Sequence, residues 1–389
     1  FYNAVIDECL VQGIKPVMNL FHFDMPIELQ NKYGGWESKH VVDLFAKFAG
    51  PCFRIFGDRV TGCFTFNEPL VIVDGAYLYQ FHYPKIVDGK KAVQVAYNIA
   101  LASAKTIAAF REINTNPAGK IGIILNLTPS YPATEEPEDL AAASFANLWM
   151  NDMFLDAAVK GAFPQELVAT FEEDGVLWNA TTEELQLIGE NTIDVLGVNF
   201  YHPNRVQRPS VSADSLAVDW MPSRYFEEYA MPGRRMNVDK GWEIYPQSLY
   251  DIALNIRDNY GNIPWFVSEN GMGVSREERY LNTEGMIEDD YRIQFIQEHL
   301  YWVAKGIEEG SNCFGYHLWT PIDCWSWGNA YRNRYGFISN NIHTQVKTIK
   351  KSGYWFKGVS EVGKLEVPDA IVEKWGEPAL DFDAAQAVF

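Results

Sequence analysis

The chain has 389 residues and a formal net charge of −19, with 47% hydrophobic and 21% charged residues. This composition is typical of a packed globular protein, and the length suffices for one large α/β domain or two smaller ones. The negative charge argues against a nucleic acid or an anionic membrane as a partner. No apolar run reaches the length of a transmembrane helix, and residues 1–13 have an amphipathic helix pattern rather than that of a signal peptide. The five cysteines are scattered without a CxxC pair, so we expect neither a disulfide scaffold nor a zinc site, and a reducing cytoplasm as the location.

Short apolar runs alternate with helical patterns along the whole chain. Apolar runs of this kind are typical of strands that are buried on both faces of a parallel sheet. The predicted strands are residues 16–23, 60–66, 121–126, 194–201, 264–267 and 313–319. The predicted helices include residues 37–56, 91–113, 139–159, 246–260 and 289–309. Strand–helix alternation predicts the βα units of an α/β fold, wound into an open sheet or closed into a barrel.

One long segment, residues 207–241, has no clear period and contains aromatic and Met residues. A loop of this length inside a compact domain is usually functional, and we expect a lid. No GxGxxG follows a strand and no Walker sequence occurs, so nothing supports nucleotide binding. The seven histidines show no metal-ligand spacing. We therefore expect no metal and no cofactor.

Two glutamates directly follow predicted strands. Glu68 comes after the run 60–66, and Glu269 comes after the run 264–267. In a barrel of parallel strands, the carboxyl ends of the strands form the face that carries the chemistry. Two carboxylates facing each other there are the minimal equipment for cleaving a glycosidic bond, since one protonates the leaving oxygen and the other attacks the anomeric carbon or activates water. Taken singly, each glutamate fits a surface position or a salt bridge equally well.

Five motifs in order carry a family resemblance. They are GIKPVMNLFHFDMP (13–26), TFNEP (65–69), DVLGVNFY (194–201), SENG (268–271) and HLWTPIDCWSW (317–327). With them the sequence resembles glycoside hydrolase family 1, the retaining β-glycosidases, from its first residue to about Phe356. The resemblance implies a TIM (β/α)8 barrel, with Glu68 as the general acid/base and Glu269 as the nucleophile. Retaining geometry then requires the two carboxyl groups to lie about 5–5.5 Å apart.

The resemblance also implies roles for residues around the two glutamates. Asn67 matches the asparagine that hydrogen-bonds the sugar 2-OH, and Tyr201 matches the tyrosine that orients the nucleophile. His22 matches the histidine that contacts the 3-OH. Trp319 matches the tryptophan that forms the floor beneath the sugar ring.

Ser326 departs from the pattern of plain β-glucosidases, which carry a glutamate there that grips the outer hydroxyls of the sugar. A glutamate would repel a phosphate at C6, whereas Ser326 offers a hydroxyl donor. Ser326 and Tyr335 together resemble the 6-phospho-β-glycosidases. Those enzymes usually have a lysine at position 333, where this chain has Asn333, and we expect the neighbouring Arg332 to take over the phosphate charge. Trp327 resembles the galactose-accepting members, which predicts tolerance at C4.

The chain begins inside the helix that precedes the third strand of the family's barrel. We therefore expect a single, incomplete β/α barrel domain over residues 1–389, with about six of the eight strands and without the first two βα units. The edges of strands 16–23 and 313–319 would then be exposed. This exposure predicts a homo-oligomer.

Three functions remain open at this point. The leading one is a cytoplasmic, retaining hydrolase of 6-phospho-β-glucosides or 6-phospho-β-galactosides, acting on a small-molecule glycoside by double displacement. The second is a plain β-glucosidase acting on unphosphorylated β-glucosides, against which Ser326 argues. The third is a catalytically weak or inactive, truncated remnant of such an enzyme.

Overall fold

The structure is a computed structural model that describes residues 1–113, 116–210, 220–363, 365 and 367–376. Within these residues the chain divides into two compact units. The N-terminal unit comprises Phe1–Gly197 and Asn204–Ala230, and the C-terminal unit comprises Val198–Pro203 and the described part of Met231–Val388. The predicted lid includes residues 211–219, which lie outside the described residues. The prediction of one domain over residues 1–389 stays a prediction.

The N-terminal unit is built from βα repeats. Its strands are β1 (Val17–Asn19), β2 (Gly62–Asn67), β3 (Lys120–Asn126), β4 (Ser130–Pro132), the first part of β5 (Val195–Asn199), β6 (Asn204–Gln207) and β7 (Glu227–Glu228). Its helices are α1 (Tyr2–Val11), α2 (Ile27–Tyr33), α3 (Lys39–Phe56), α4 (Pro69–Tyr77), α5 (Gly89–Ile113), α6 (Pro137–Asn147), α7 (Met153–Val159), α8 (Gln165–Glu173) and α9 (Thr182–Glu190). Strand β2 pairs in parallel with β1 and with β3, and α3 packs against α5.

The C-terminal unit continues the alternation. The last residues of β5 belong to this unit. Its other strands are β8 (Met236–Asn237), β9 (Trp242–Glu243), β10 (Trp265–Glu269), β11 (Val274–Ser275), β12 (Cys313–Tyr316), β13 (Asn333–Arg334), β14 (Ile338–Asn340) and β15 (Lys347–Ile349). Its helices are α10 (Ser248–Asn259), α11 (Asp290–Glu308), α12 (Lys351–Val362) and α13 (Asp369–Trp375). Strands β10 and β12 pair in parallel, while β8–β9, β11–β13 and β14–β15 are antiparallel pairs.

The six strands predicted from the sequence are confirmed, and they follow one another in the order β1-β2-β3-β5-β10-β12. Every residue of β2 and of β5 is buried. This burial explains their continuous apolar sequence, since a strand covered on both faces has no polar side. The end strands β1 and β12 are more exposed, and Val17 retains 39% of its side-chain surface.

The helix predicted over residues 139–159 is wrong in one respect. It begins at Pro137 and is interrupted by a π-helical turn, Leu148–Asp152. Asn147, just before this turn, hydrogen-bonds the backbone of Ser130 through its side-chain amide, and Asn151, within the turn, hydrogen-bonds that of Thr128. A π turn adds a residue to the helix, and here it lies where two asparagines contact the same loop.

In the part of the chain that the structure describes, no helix is both long enough and apolar enough to cross a bilayer. The cytoplasmic location and the homo-oligomer stay predictions.

A buried network of charges connects several segments of the C-terminal unit. Arg292 on α11 pairs with Glu277 and with Asp289, whose carboxylate lies 2.9 Å from the guanidinium. Lys350, immediately before α12, lies 2.5 Å from Glu277 and 3.0 Å from Asp323. All five side chains are at most 2% exposed. Because each charge has a partner of opposite sign, their burial is tolerated.

We expect Lys350→Met to lower the free energy of unfolding by about 3–5 kcal/mol, because it leaves Glu277 and Asp323 buried without this cation. Urea denaturation followed by circular dichroism measures the loss. The matched control is Lys351→Met. Lys351 pairs with Asp290 at 2.7 Å with both side chains exposed, and exposed pairs of this kind contribute about 0–1 kcal/mol. Equal losses in the two variants would contradict the assignment of the network.

Candidate active site

In the N-terminal unit, Glu68 lies at the carboxyl end of β2. Its backbone N–H donates to the carbonyl of Ile124 on β3 at 2.9 Å. Its backbone is left-handed, with φ 47° and ψ 60°, and Pro69 follows as the first residue of α4. The strand thus ends abruptly at the glutamate. The turn and the β3 hydrogen bond fix the position from which its side chain projects.

Asn67 and His22 accompany Glu68 in the same unit. The amide of Asn67 is 1% exposed, and its Nδ2 lies 3.4 Å from Nε2 of His22. Burial lowers the pKa of His22, while Asp24 opposes the shift. The neutral imidazole that results can accept the amide hydrogen of Asn67.

In the C-terminal unit, Glu269 is the last residue of β10. The hydroxyl of Tyr201 donates to Oε2 of Glu269 at 2.7 Å, and the N–H of Phe200 donates to the carbonyl of Glu269 at 2.9 Å. The structure therefore brings Tyr201 into contact with Glu269, as the resemblance implies. A hydroxyl donor of this kind stabilises a carboxylate in its ionised form.

Asn270 links Glu269 to Trp319. It is fully buried, its amide donates to the carbonyl of Phe200 at 2.7 Å, and its side-chain oxygen accepts from the hydroxyl of Tyr316. The carbonyl of Asn270 accepts the N–H of Trp319 at 2.9 Å. Trp319 is thereby tied by one backbone bond to the residue that follows Glu269.

Two glycines after β10 allow close approach. A Cβ on Gly271 would lie 2.1 Å from the carbonyl oxygen of Trp319, and a Cβ on Gly273 would lie 2.4 Å from the ring of Tyr335. Neither contact is sterically possible, so only glycine fits at either position. The glycine of the SENG motif therefore has a packing reason: it lets Trp319 lie against the end of β10.

The segment after β12 carries the remaining predicted residues. Ser326 and Ala330 exchange two backbone hydrogen bonds of 2.9 and 2.8 Å, which close a tight loop. Trp327 is 50% exposed on this loop, and its ring contacts that of Trp325 edge to face. Tyr335 is buried, and burial raises the pKa of its phenol, which therefore keeps its proton.

Asn333 and Arg332 differ sharply in their surroundings. Asn333 is 2% exposed, and its amide donates to the backbone carbonyl of Asp239 at 3.2 Å. Arg332 is exposed. Among the described residues its guanidinium has no carboxylate partner. Of these two neighbours, Arg332 is therefore the one whose charged group is available to bind a ligand.

Three residues that the sequence analysis missed lie near these side chains. The ring of Trp242 lies 5.3 Å from that of Tyr201, and Lys240 lies over Trp242 at 4.3 Å. The pKa of the Cys324 thiol is raised by burial and by the negative charges of Asp323 and Glu269. Lys240 and Trp242 lie at and just beyond the C-terminal end of the segment 207–241, which has no helix or strand periodicity. The sequence pattern there gives no reason to single out either residue.

Comparisons with known proteins agree with this architecture. The sequence profile of Glycosyl hydrolase family 1 matches residues 1–364. The 6-phospho-β-glucosidase GmuD of Bacillus subtilis (strain 168) is 53% identical over 362 residues, which are 93% of this chain and 77% of that protein. A 6-phospho-β-galactosidase of Clostridium acetobutylicum is 33% identical over 381 residues, covering 94% of this chain and 79% of that protein.

Solved structures share the fold. A β-glucosidase from Thermotoga maritima in complex with castanospermine matches with a TM-score of 0.82 at 29% identity, over 94% of this chain and 78% of that one. These matches cover nearly all of this chain and do not support the prediction that two N-terminal βα units are missing, so that expectation stays a prediction. The motifs, the strand order and the comparisons together establish that the chain is a glycoside hydrolase and belongs to glycosyl hydrolase family 1.

Proposed function

We propose that this enzyme hydrolyses 6-phospho-β-glucosides with retention of configuration. The observation that carries the proposal is the 53% identity to a 6-phospho-β-glucosidase over 93% of the chain. Ser326 supports it, because a glutamate at this position would place a negative charge against the phosphate. Trp327 and the similarity to a 6-phospho-β-galactosidase extend the proposal to 6-phospho-β-galactosides.

The proposed reaction has two steps. Glu269 attacks the anomeric carbon while Glu68 protonates the leaving oxygen, which gives a covalent glycosyl-enzyme. Water, deprotonated by Glu68, then hydrolyses this ester and regenerates both groups. The proposal requires the two carboxyl groups to face each other at about 5–5.5 Å. It therefore also requires Glu68 and Glu269 to belong to one site within a single barrel domain.

The neighbouring residues have positioning and binding roles in this proposal. Tyr201 holds Glu269 in line for attack, and Asn67 hydrogen-bonds the sugar 2-OH. His22 contacts the 3-OH, and Trp319 forms the floor beneath the ring. Ser326, Tyr335 and Arg332 bind the phosphate, with Ser326 and Tyr335 as hydroxyl donors and Arg332 as the charged donor.

Removing each glutamate should have a different effect. Glu269→Ala abolishes cleavage, and azide added to this variant yields a glycosyl azide of the inverted anomer, because the small anion enters from the side of the missing carboxylate. Glu68→Ala keeps activity on aryl glycosides whose leaving group needs no proton. Product analysis by NMR and turnover of a 2,4-dinitrophenyl glycoside provide the measurements. If both variants lose the activated substrate equally, the two roles are wrongly assigned.

Tyr201→Phe should lower kcat about 10- to 100-fold with a smaller change in KM, because hydrogen bonds to charged groups contribute about 1.5–3 kcal/mol and this one is made to the attacking carboxylate. Steady-state kinetics on an aryl 6-phosphoglucoside measure the effect. Tyr250→Phe is the matched control, since the hydroxyl of Tyr250 donates to Glu309 at 2.6 Å in an exposed pair. An unchanged kcat in Tyr201→Phe would show that Tyr201 does not position Glu269 for attack.

The enzyme should prefer a phosphorylated aryl β-glucoside over its unphosphorylated counterpart, and Ser326→Glu should lower kcat/KM for the phosphorylated substrate about 100-fold. A like charge against the phosphate disfavours binding by several kcal/mol. Ser326→Ala is the control, because it removes the hydroxyl without adding charge and should lose less. Preference of the wild type for cellobiose over its 6-phosphate would overturn the phosphate specificity.

A further inference from the structure

The hairpin β8–β9 carries a lysine at its turn. Lys240 and Gly241 donate backbone N–H groups to the carbonyl of Asn237 at 3.2 and 2.8 Å, which closes the turn. The buried amide of Asn237 donates in turn to the carbonyl of Gly273 at 3.1 Å. The turn is thereby fastened to the segment that follows Glu269.

Asp239, the neighbour of Lys240, is fully engaged by other groups. Its carboxylate accepts the N–H and the hydroxyl of Ser275 at 3.1 and 2.6 Å and lies 3.6 Å from Arg279. Its backbone carbonyl accepts the amide of Asn333. The carboxylate nearest in sequence is therefore directed to Ser275 and Arg279 rather than to Lys240, while the backbone at this turn contacts the residue that follows Arg332.

Lys240 lies on a turn that contacts the neighbour of Arg332, because the carbonyl of Asp239 accepts the amide of Asn333. Its ammonium lies 4.3 Å from the ring centre of Trp242, and its pKa is lowered by burial and by the positive charge of Arg332. Within the described ranges neither Lys240 nor Arg332 forms an ion pair with a carboxylate. In a chain with 51 acidic and 32 basic residues, two adjacent cations without an acidic partner are conspicuous.

Two aromatic rings connect Lys240 to Glu269. The Trp242 ring that Lys240 covers is 5.3 Å from the ring of Tyr201, and Tyr201 donates to Glu269. Two cations held near each other repel, and an anion with two charges relieves that repulsion while it accepts hydrogen bonds from both. A phosphate monoester close to full ionisation at neutral pH is such an anion.

We propose that Lys240 and Arg332 together bind the phosphate of the substrate, with Lys240 supplying the ammonium that Asn333 cannot. The inference rests on the proposed function and names one further specificity-determining residue for it. The amide of Asn333 already donates to the backbone carbonyl of Asp239. This hydrogen bond holds the turn that carries Lys240, so we assign the missing ammonium to Lys240.

The test uses Lys240→Gln, Arg332→Gln and the double variant of the full chain. The readouts are kcat/KM for 4-nitrophenyl β-glucoside 6-phosphate and for 4-nitrophenyl β-glucoside, and the inhibition constants of glucose 6-phosphate and glucose. We expect each single variant to lose about 10- to 100-fold on the phosphorylated compounds, as for a hydrogen bond to a charged group. Values for the unphosphorylated compounds stay within about twofold of wild type, and Lys240→Arg retains most of the preference because it keeps the charge.

Lys347→Gln is the matched control, since Lys347 is an exposed lysine on β15 whose ammonium contacts the carbonyl of Gln345. It removes the same net charge and should leave all four values unchanged. Equal losses on phosphorylated and unphosphorylated compounds in Lys240→Gln would show a structural role and overturn the inference. If both single variants still discriminate between glucose 6-phosphate and glucose as the wild type does, this inference alone is overturned. If the wild type itself does not discriminate between the two sugars, the proposed function is overturned as well.

Discussion

The segments that follow Glu269 and β12 in the C-terminal unit depend on the buried guanidinium of Arg292. Besides its two carboxylate partners, it donates to the backbone carbonyls of Met272 at 2.6 Å and Tyr335 at 3.0 Å, and to that of Arg334 at 3.2 Å. Met272 belongs to the segment after β10, which ends at Glu269, and Tyr335 belongs to the segment after β12 that carries Ser326. One planar cation with five donors thus fastens two segments that are distant in the sequence, and the fork geometry of arginine suits this role.

The carboxylates around Arg292 extend this restraint. Asp323 accepts the N–H of Gly336 at 2.8 Å and also Lys350, while Asp289 accepts the N–H and hydroxyl of Ser352 at the start of α12. Removing water from these charges costs free energy, and a purely apolar cluster could be equally stable. An apolar cluster, however, could not satisfy the carbonyls at the ends of these segments. The ionic network is therefore better understood as a device that fixes loop positions than as a source of stability.

In the proposed function, the residues for substrate specificity and those for catalysis lie on different elements. The carboxylates that carry the proposed chemistry end β2 and β10, where strand hydrogen bonds define their positions. The proposed phosphate ligands lie on the loop of Ser326 and on the hairpin of Lys240, which are anchored by buried amides of Asn237 and Asn333. Loops on a rigid scaffold can change without disturbing the strands.

The sequence by itself predicted the six short apolar strands and the two glutamates at the ends of β2 and β10. These features are local: a strand buried on both faces requires a continuous apolar run, and the residue that follows the run is read directly. Only the tertiary structure decided the strand order, the ionic network, the π turn in the helix predicted over 139–159, and the hydrogen bond that joins Asn333 to the turn of Lys240. Glu277 and Lys350 are 73 positions apart. The residues that flank a charged side chain in the sequence do not indicate which distant residue it will pair with. Pairings of this kind arise from packing, which brings together groups that no sequence period relates.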